Sequence, residues 1–131
     1  MSIKSLVLFS SVLDKAKEDL KIKQEDLLAK LNNCSSDSER VEHIKRGLMN
    51  EGQLNLIEET VREDGSVEIT ESDLNIRTQE LVGRREALAA EIKNCSGNRE
   101  KEDAILEGHY RILGKLELIY VWGCLLEKQK E

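Results

Sequence analysis

Proline is absent from this chain of 131 residues, and only four of its side chains are aromatic: Phe9, Tyr110, Tyr120 and Trp122. Without proline no helix is kinked or broken by its ring. The shortage of aromatics, beside 35% charged residues, disfavours a β-sandwich or barrel and suits long helices. So few large rings cannot fill a thick core. Burial must come from leucine and isoleucine seams between helices, which leave elongated molecules whose flanks are covered by self-association. Cysteine is also scarce: Cys34, Cys95 and Cys124 are an odd number without paired spacing, which reads as free thiols in a reducing compartment. Cys34 and Cys95 do occupy matching loops.

A basic excess is missing as well. Twenty Lys and Arg stand against 26 Asp and Glu, a net charge of −6, so the chain lacks the surface a direct nucleic-acid binder needs; a basic protein partner is favoured instead. Long apolar runs are missing too. Leu118 to Leu126 covers about half of the ~20 residues that span a membrane. The run from Leu6 to Leu13 is interrupted by Ser10 and Ser11 and followed by Lys15, Lys17, Glu18 and Asp19 with no cleavage pattern, so it is not read as a signal peptide. The expectation is a cytoplasmic protein without membrane contact.

What the chain does have is an internal echo. Residues 27–35 read Leu-Leu-Ala-Lys-Leu-Asn-Asn-Cys-Ser and residues 88–96 read Leu-Ala-Ala-Glu-Ile-Lys-Asn-Cys-Ser, 61 positions later. The same offset pairs Leu13 with Leu74, Leu20 with Leu81, Ile44 with Ile105 and Gly47 with Gly108. This is a duplicated unit over about 13–49 and 74–110 within a single domain of residues 1–131. Each copy is a leucine-striped helix, a polar break at Asn-Cys-Ser and a second helix.

Leu6, Phe9, Leu13, Ala16, Leu20 and Leu27 form a coiled-coil-like seam, so helix 1 is expected over about 3–32. Ser36 with Glu39 opens helix 2, about 37–50, whose Val41, Ile44 and Leu48 share a face; Asn50, Glu51 and Gly52 stop it. Asp64-Gly65, between Val61 and the pair Val67 and Ile69, predicts a small β-hairpin over about 56–70. The competing reading continues a helix through Leu54, Ile57 and Val61 to that turn. Thr70 with Asp73 caps helix 3, about 73–94, and helix 4 runs from about 98 to 128. Helix 4 is apolar on too much of its circumference to face water, so it is either the central helix or half of a subunit interface. Five glycines (Gly47, Gly83, Gly108, Gly114 and Gly123) lie inside predicted helices at a cost of about 0.8–1 kcal/mol each, which points to close helix crossings.

The fold class is therefore mainly α: two similar antiparallel helical hairpins, coiled-coil-like, joined by a small β-hairpin and oligomeric. Two helical arms flanking a hairpin at Asp64-Gly65, with Cys34 and Cys95 nearly equidistant from it, form a layout similar to a prefoldin β-type subunit. That resemblance implies an antiparallel coiled coil and a hairpin used for assembly.

No catalytic constellation is present. His43 and His109 stand alone, without the spacings that put two ligands on one helical face. Glu59 with Glu63, and Glu100 with Asp103, match in type the acidic pairs of helical magnesium-dependent nucleotide hydrolases, but such sites need acids converging from facing helices. There is no nucleophile elbow and no phosphate loop. No cofactor or metal is expected. The most asymmetric surface is the stretch 58–73, where Glu58, Glu59, Glu63, Asp64, Glu68, Glu71 and Asp73 face only Arg62. The first five of these are the expected docking residues for a basic partner. The expected oligomer interface is Tyr110, Leu113, Ile119, Tyr120, Trp122 and Leu126. The functional expectation is a non-enzymatic protein–protein interaction module, a small adaptor, assembly factor or inhibitor. A prefoldin-like holding chaperone and a magnesium-dependent nucleotide hydrolase are the alternatives.

Overall fold

In the computed structural model, which describes residues 5–95 and 97–130, the chain is mainly helical with one small antiparallel sheet of two strands. The order is β1 (Ser5–Leu8), α1 (Ser10–Asn33), α2 (Asp37–Thr60), β2 (Val67–Thr70), α3 (Glu71–Asn94) and α4 (Arg99–Lys130). Each strand leads into a pair of packed helices, α1 with α2 and α3 with α4. Helices α1 and α3 each have 24 residues and begin 61 positions apart, at Ser10 and Glu71. Leu13 and Leu20 of α1 are buried, and so are Leu74 and Leu81 of α3.

Local chemistry sets the helix starts. The Ser36 hydroxyl accepts the Glu39 N–H at 3.1 Å, and Asn98 Oδ1 accepts the Lys101 N–H at 3.2 Å. At α3 the capping box is complete: Thr70 Oγ1 accepts from the Asp73 N–H at 3.1 Å, and Asp73 accepts from the Thr70 N–H at 3.2 Å.

Three expectations give way: the start of helix 1, the local hairpin and the stop of helix 2. Helix 1 does not begin near residue 3, because residues 5–8 form β1; Leu6 and Leu8, two apart, are both buried, whereas Phe9, the next step of a helical seam, is 66% exposed. A two-residue period fits the core and a helical one does not. The local hairpin over about 56–70 is replaced by a longer connection. β2 pairs with β1, Leu6 opposite Ile69 and Leu8 opposite Val67, while residues 53–60 continue α2. Leu56 and Ile57 are adjacent and both almost fully buried, which a helix packed on two sides allows and a hairpin with one face in solvent does not, since neighbours on a strand point to opposite faces. The helix therefore passes through Asn50, Glu51 and Gly52, the expected stop, and ends at Thr60. The Asp64-Gly65 turn survives as the link to β2: Gly65 has φ +83°, its N–H donates to the Arg62 carbonyl at 2.9 Å, and the Arg62 N–H donates to the Ser66 carbonyl at 2.8 Å.

The two helix pairs meet through α2 and α4, the most extensively packed pair of elements. A Cβ at Gly52 would lie 2.8 Å from the Arg111 carbonyl carbon, and one at Gly114 would lie 2.6 Å from that of Met49. The contact is reciprocal, because Gly52 and Met49 stand three residues apart, as do Gly114 and Arg111. With the antiparallel strand pair, it relates the two β-α-α units by an approximate two-fold. Below the crossing lies the core: Leu6, Leu8, Val67 and Ile69 of the sheet against Leu56, Ile57, Ile119, Trp122 and Leu126.

Candidate interaction surfaces

Ile119, Trp122 and Leu126, half of the expected oligomer interface, lie in the core of the chain itself; Trp122 is only 4% exposed. Tyr110 and Leu113 are half-buried. Tyr120 alone is open to solvent, at 74%. The wide apolar circumference of α4 is explained by its place: α2, α3 and β1 all pack against it. Of the two roles open to helix 4 from its sequence, the central one accounts for its buried stripe.

Polar groups line the α2–α4 seam. Arg46 makes a two-pronged contact with Glu117, with Nη1 to Oε2 at 3.0 Å, and Gln53 Nε2 donates to Glu117 Oε1 at 2.7 Å. The Arg46 guanidinium, by this hydrogen bond first and its charge second, holds the Glu117 carboxyl below its ordinary pKa against the opposing effect of burial. Arg111 pairs with Glu51 at 3.2 Å. Deeper in, Gln24 of α1 donates to the Gly47 carbonyl at 3.0 Å and accepts from Asn50 Nδ2 at 3.2 Å, while the fully buried Asn50 Oδ1 has no hydrogen-bond partner among the described residues.

The acidic stretch is largely occupied from within. Glu59 pairs with Lys115 at 2.7 Å and Arg77 at 4.0 Å. Glu68 takes Arg62 at 2.7 Å. Asp64 accepts from the Ser66 hydroxyl at 2.6 Å and from its N–H at 2.9 Å, and these two bonds, the hydroxyl first, lower its pKa. Glu58 and Glu63 are exposed. A cleft of about 380 Å³ does open here, with Glu59, Glu68, Asp73, Glu80 and Arg77 around a floor of Val67, Ile69, Leu74 and Trp122. Two of its four acids are balanced, Glu59 by Lys115 and Arg77 and Glu68 by Arg62, so its negative field is weaker than the sequence count suggests.

Among the described residues no group of three or more His, Cys, Asp or Glu is placed to hold a metal ion. Burial, with the charge of Arg85 as the smaller cause, lowers the pKa of His109, whose ring meets Tyr110 edge-on at 5.2 Å. Cys34, Cys95 and Cys124 are free thiols. No helix among the described residues is long and apolar enough to cross a membrane.

The surface that sequence reasoning missed is the outer part of the α1–α2 pair. From Lys21 to Met49 no residue is fully buried, although this stretch holds Ile22, Leu27, Leu28, Leu31, Val41, Ile44 and Leu48. Leu27, Leu31 and Leu48 are half-buried, while Val41 is 47% exposed and Ile44 46%. Near its base this pair of helices is met by α4, at Lys45, Arg46 and Met49. The shared face of Val41, Ile44 and Leu48 was readable in the sequence; that Val41 and Ile44 stay near half exposed among the described residues was not. Comparison with known proteins gives no match, whether to a family model, a curated protein or a solved structure.

Proposed function

We propose that this chain is a non-enzymatic protein–protein interaction module that works as a homo-oligomer in a reducing compartment such as the cytoplasm, as a small adaptor, assembly factor or inhibitor. One observation carries the reading: the arm formed by residues 21–49 presents a half-exposed aliphatic seam and buries no residue fully. Two helices of this length gain little from each other alone, and helical stability comes mainly from packing an apolar face against something. Exposed aliphatics gathered on one element mark a binding surface. Three free thiols suit the reducing compartment.

The test combines solution mass with the fluorescence of an anilinonaphthalene sulfonate dye, for the native chain and for Val41→Glu/Ile44→Glu. Both residues are near half exposure, so the variant keeps its fold, checked by circular dichroism. An oligomer that the variant dissolves supports the reading; a monomer whose dye signal the variant removes keeps the interaction surface and overturns the homo-oligomer. A native monomer that binds no dye sinks it.

A holding chaperone is the second reading, favoured by the same exposed Leu28, Val41 and Ile44. It predicts that the native chain slows aggregation of an unfolded client and that Val41→Glu/Ile44→Glu does not.

A further inference from the structure

We infer that the α1–α2 arm docks against the same arm of a second copy of this chain, with Val41 and Ile44 at the centre of the contact. This rests on the interaction reading above and names its partner.

The arm continues a packing surface already present within the chain. Val41, Lys45, Leu48 and Gly52 recur at three- and four-residue steps along one face of α2. On that face α4 touches α2 at Gly52, and Lys45 Nζ still sits 5.5 Å from the centre of the Tyr110 ring. One turn further out Val41 is bare, and Ile44 lies between this face and the side that carries Gly47 and Asn50 to α1. A helix laid there would continue the packing that α4 begins.

Charge also favours a second copy. Residues 21–49 contain six basic and five acidic side chains, whereas the other 102 positions contain 14 basic and 21 acidic ones. Two copies of an acidic chain repel least where they are locally near neutral and mixed in sign. A strongly basic partner, by contrast, gains nothing from this arm.

The other arm is a poorer occupant. The reciprocal glycines set the structural offset at 62, which places Asp103 where the first unit has Val41, with Leu106 matching Ile44 and Glu107 matching Lys45. An exposed carboxylate stands where the aliphatic contact would form. Arm against identical arm gives a two-fold contact that is closed by itself, whereas arm against the opposite arm is heterologous and closes only where the rotation between copies completes a ring.

Sedimentation equilibrium of the full chain from dilute to concentrated solution tests this. The expected result is a mass that rises from 14.9 kDa towards twice that value. Val41→Glu/Ile44→Glu should lose the dimer while keeping native circular dichroism, and Tyr120→Glu, on the most exposed aromatic of α4, should associate like the native chain. A native mass fixed at 14.9 kDa with dye bound at Val41 and Ile44 overturns the second copy and leaves the interaction reading standing. A fixed monomer without dye overturns both. Association that survives Val41→Glu/Ile44→Glu, or that Tyr120→Glu abolishes, overturns the arm as the site.

Discussion

At the scale of single residues, the seam between α2 and α4 is held by groups whose partners lie 64 and 71 positions away, Gln53 and Arg46 on Glu117. Because the folded chain holds the Glu117 pKa below its unfolded value, the ionised carboxylate stabilises the fold at neutral pH, and that contribution is lost as pH falls through the native pKa. Glu117→Gln should therefore lower the urea midpoint at pH 7, with the deficit shrinking to nothing in acid once native Glu117 is protonated. Arg46 and Glu117 are 43% and 37% exposed, so screening keeps the effect at about 1 kcal/mol or less. A deficit that stays constant from neutral pH into acid would refute this linkage. Asn50 shows why such residues are hard to read in advance. Asparagine beside Glu51-Gly52 has the composition of a helix exit, yet here it is an amide in the core, bonded to Gln24.

At the scale of elements, the crossing of α2 and α4 depends on two glycines for different reasons from the usual ones. Both have helical backbone, and both are there because another backbone occupies the space of the missing Cβ. Gly52→Ala should cost about 3 kcal/mol or more, because a carbonyl in a helix cannot step aside as a side chain can. Gly83→Ala is the control: nothing lies within 4 Å of its Cβ position, so alanine should stabilise α3 by up to about 1 kcal/mol. Urea melts of both variants check the pair, and equal effects would show that the crossing is looser than described. The sequence signalled that helix glycines allow close approach. It pointed to Gly114 correctly, but gave Gly83 the same standing and placed Gly52 outside the helix, since glycine composition does not say which one meets a neighbour. The strand pairing was hidden for a similar reason. Val67 and Ile69 alternate as a strand should, but their partners, Leu8 and Leu6, lie 59 and 63 residues upstream, in a stretch whose leucines also fit a helical period.

At the scale of the molecule, much of the burial that the sequence assigned to a second subunit occurs between the two halves of one chain. Trp122 is the clearest case, packed among residues of the sheet and helices. Trp122→Ala should cost about 3–5 kcal/mol, a large part of the stability of a chain this size, and so unfold the protein at moderate urea. A variant of unchanged thermal midpoint that only changes solution mass would return Trp122 to a subunit surface. At the outer α1–α2 arm the helices outrun the core that covers their bases, and Leu28, Val41 and Ile44 stay exposed.

The sequence by itself determined the helical class, the starts of α2, α3 and α4, and the turn at Asp64-Gly65, because caps, turn residues and apolar periodicity act over a few neighbouring positions. Tertiary structure alone decided that residues 5–8 leave the helix to pair with β2, that α2 continues to Thr60, and that Gly52 and Gly114 face backbones. It also decided that Trp122 is interior while Val41 and Ile44 are bare. These outcomes depend on which apolar faces meet across 50 or more residues, and an aliphatic side chain carries the same local signal whether its cover comes from its own chain, from another, or from none.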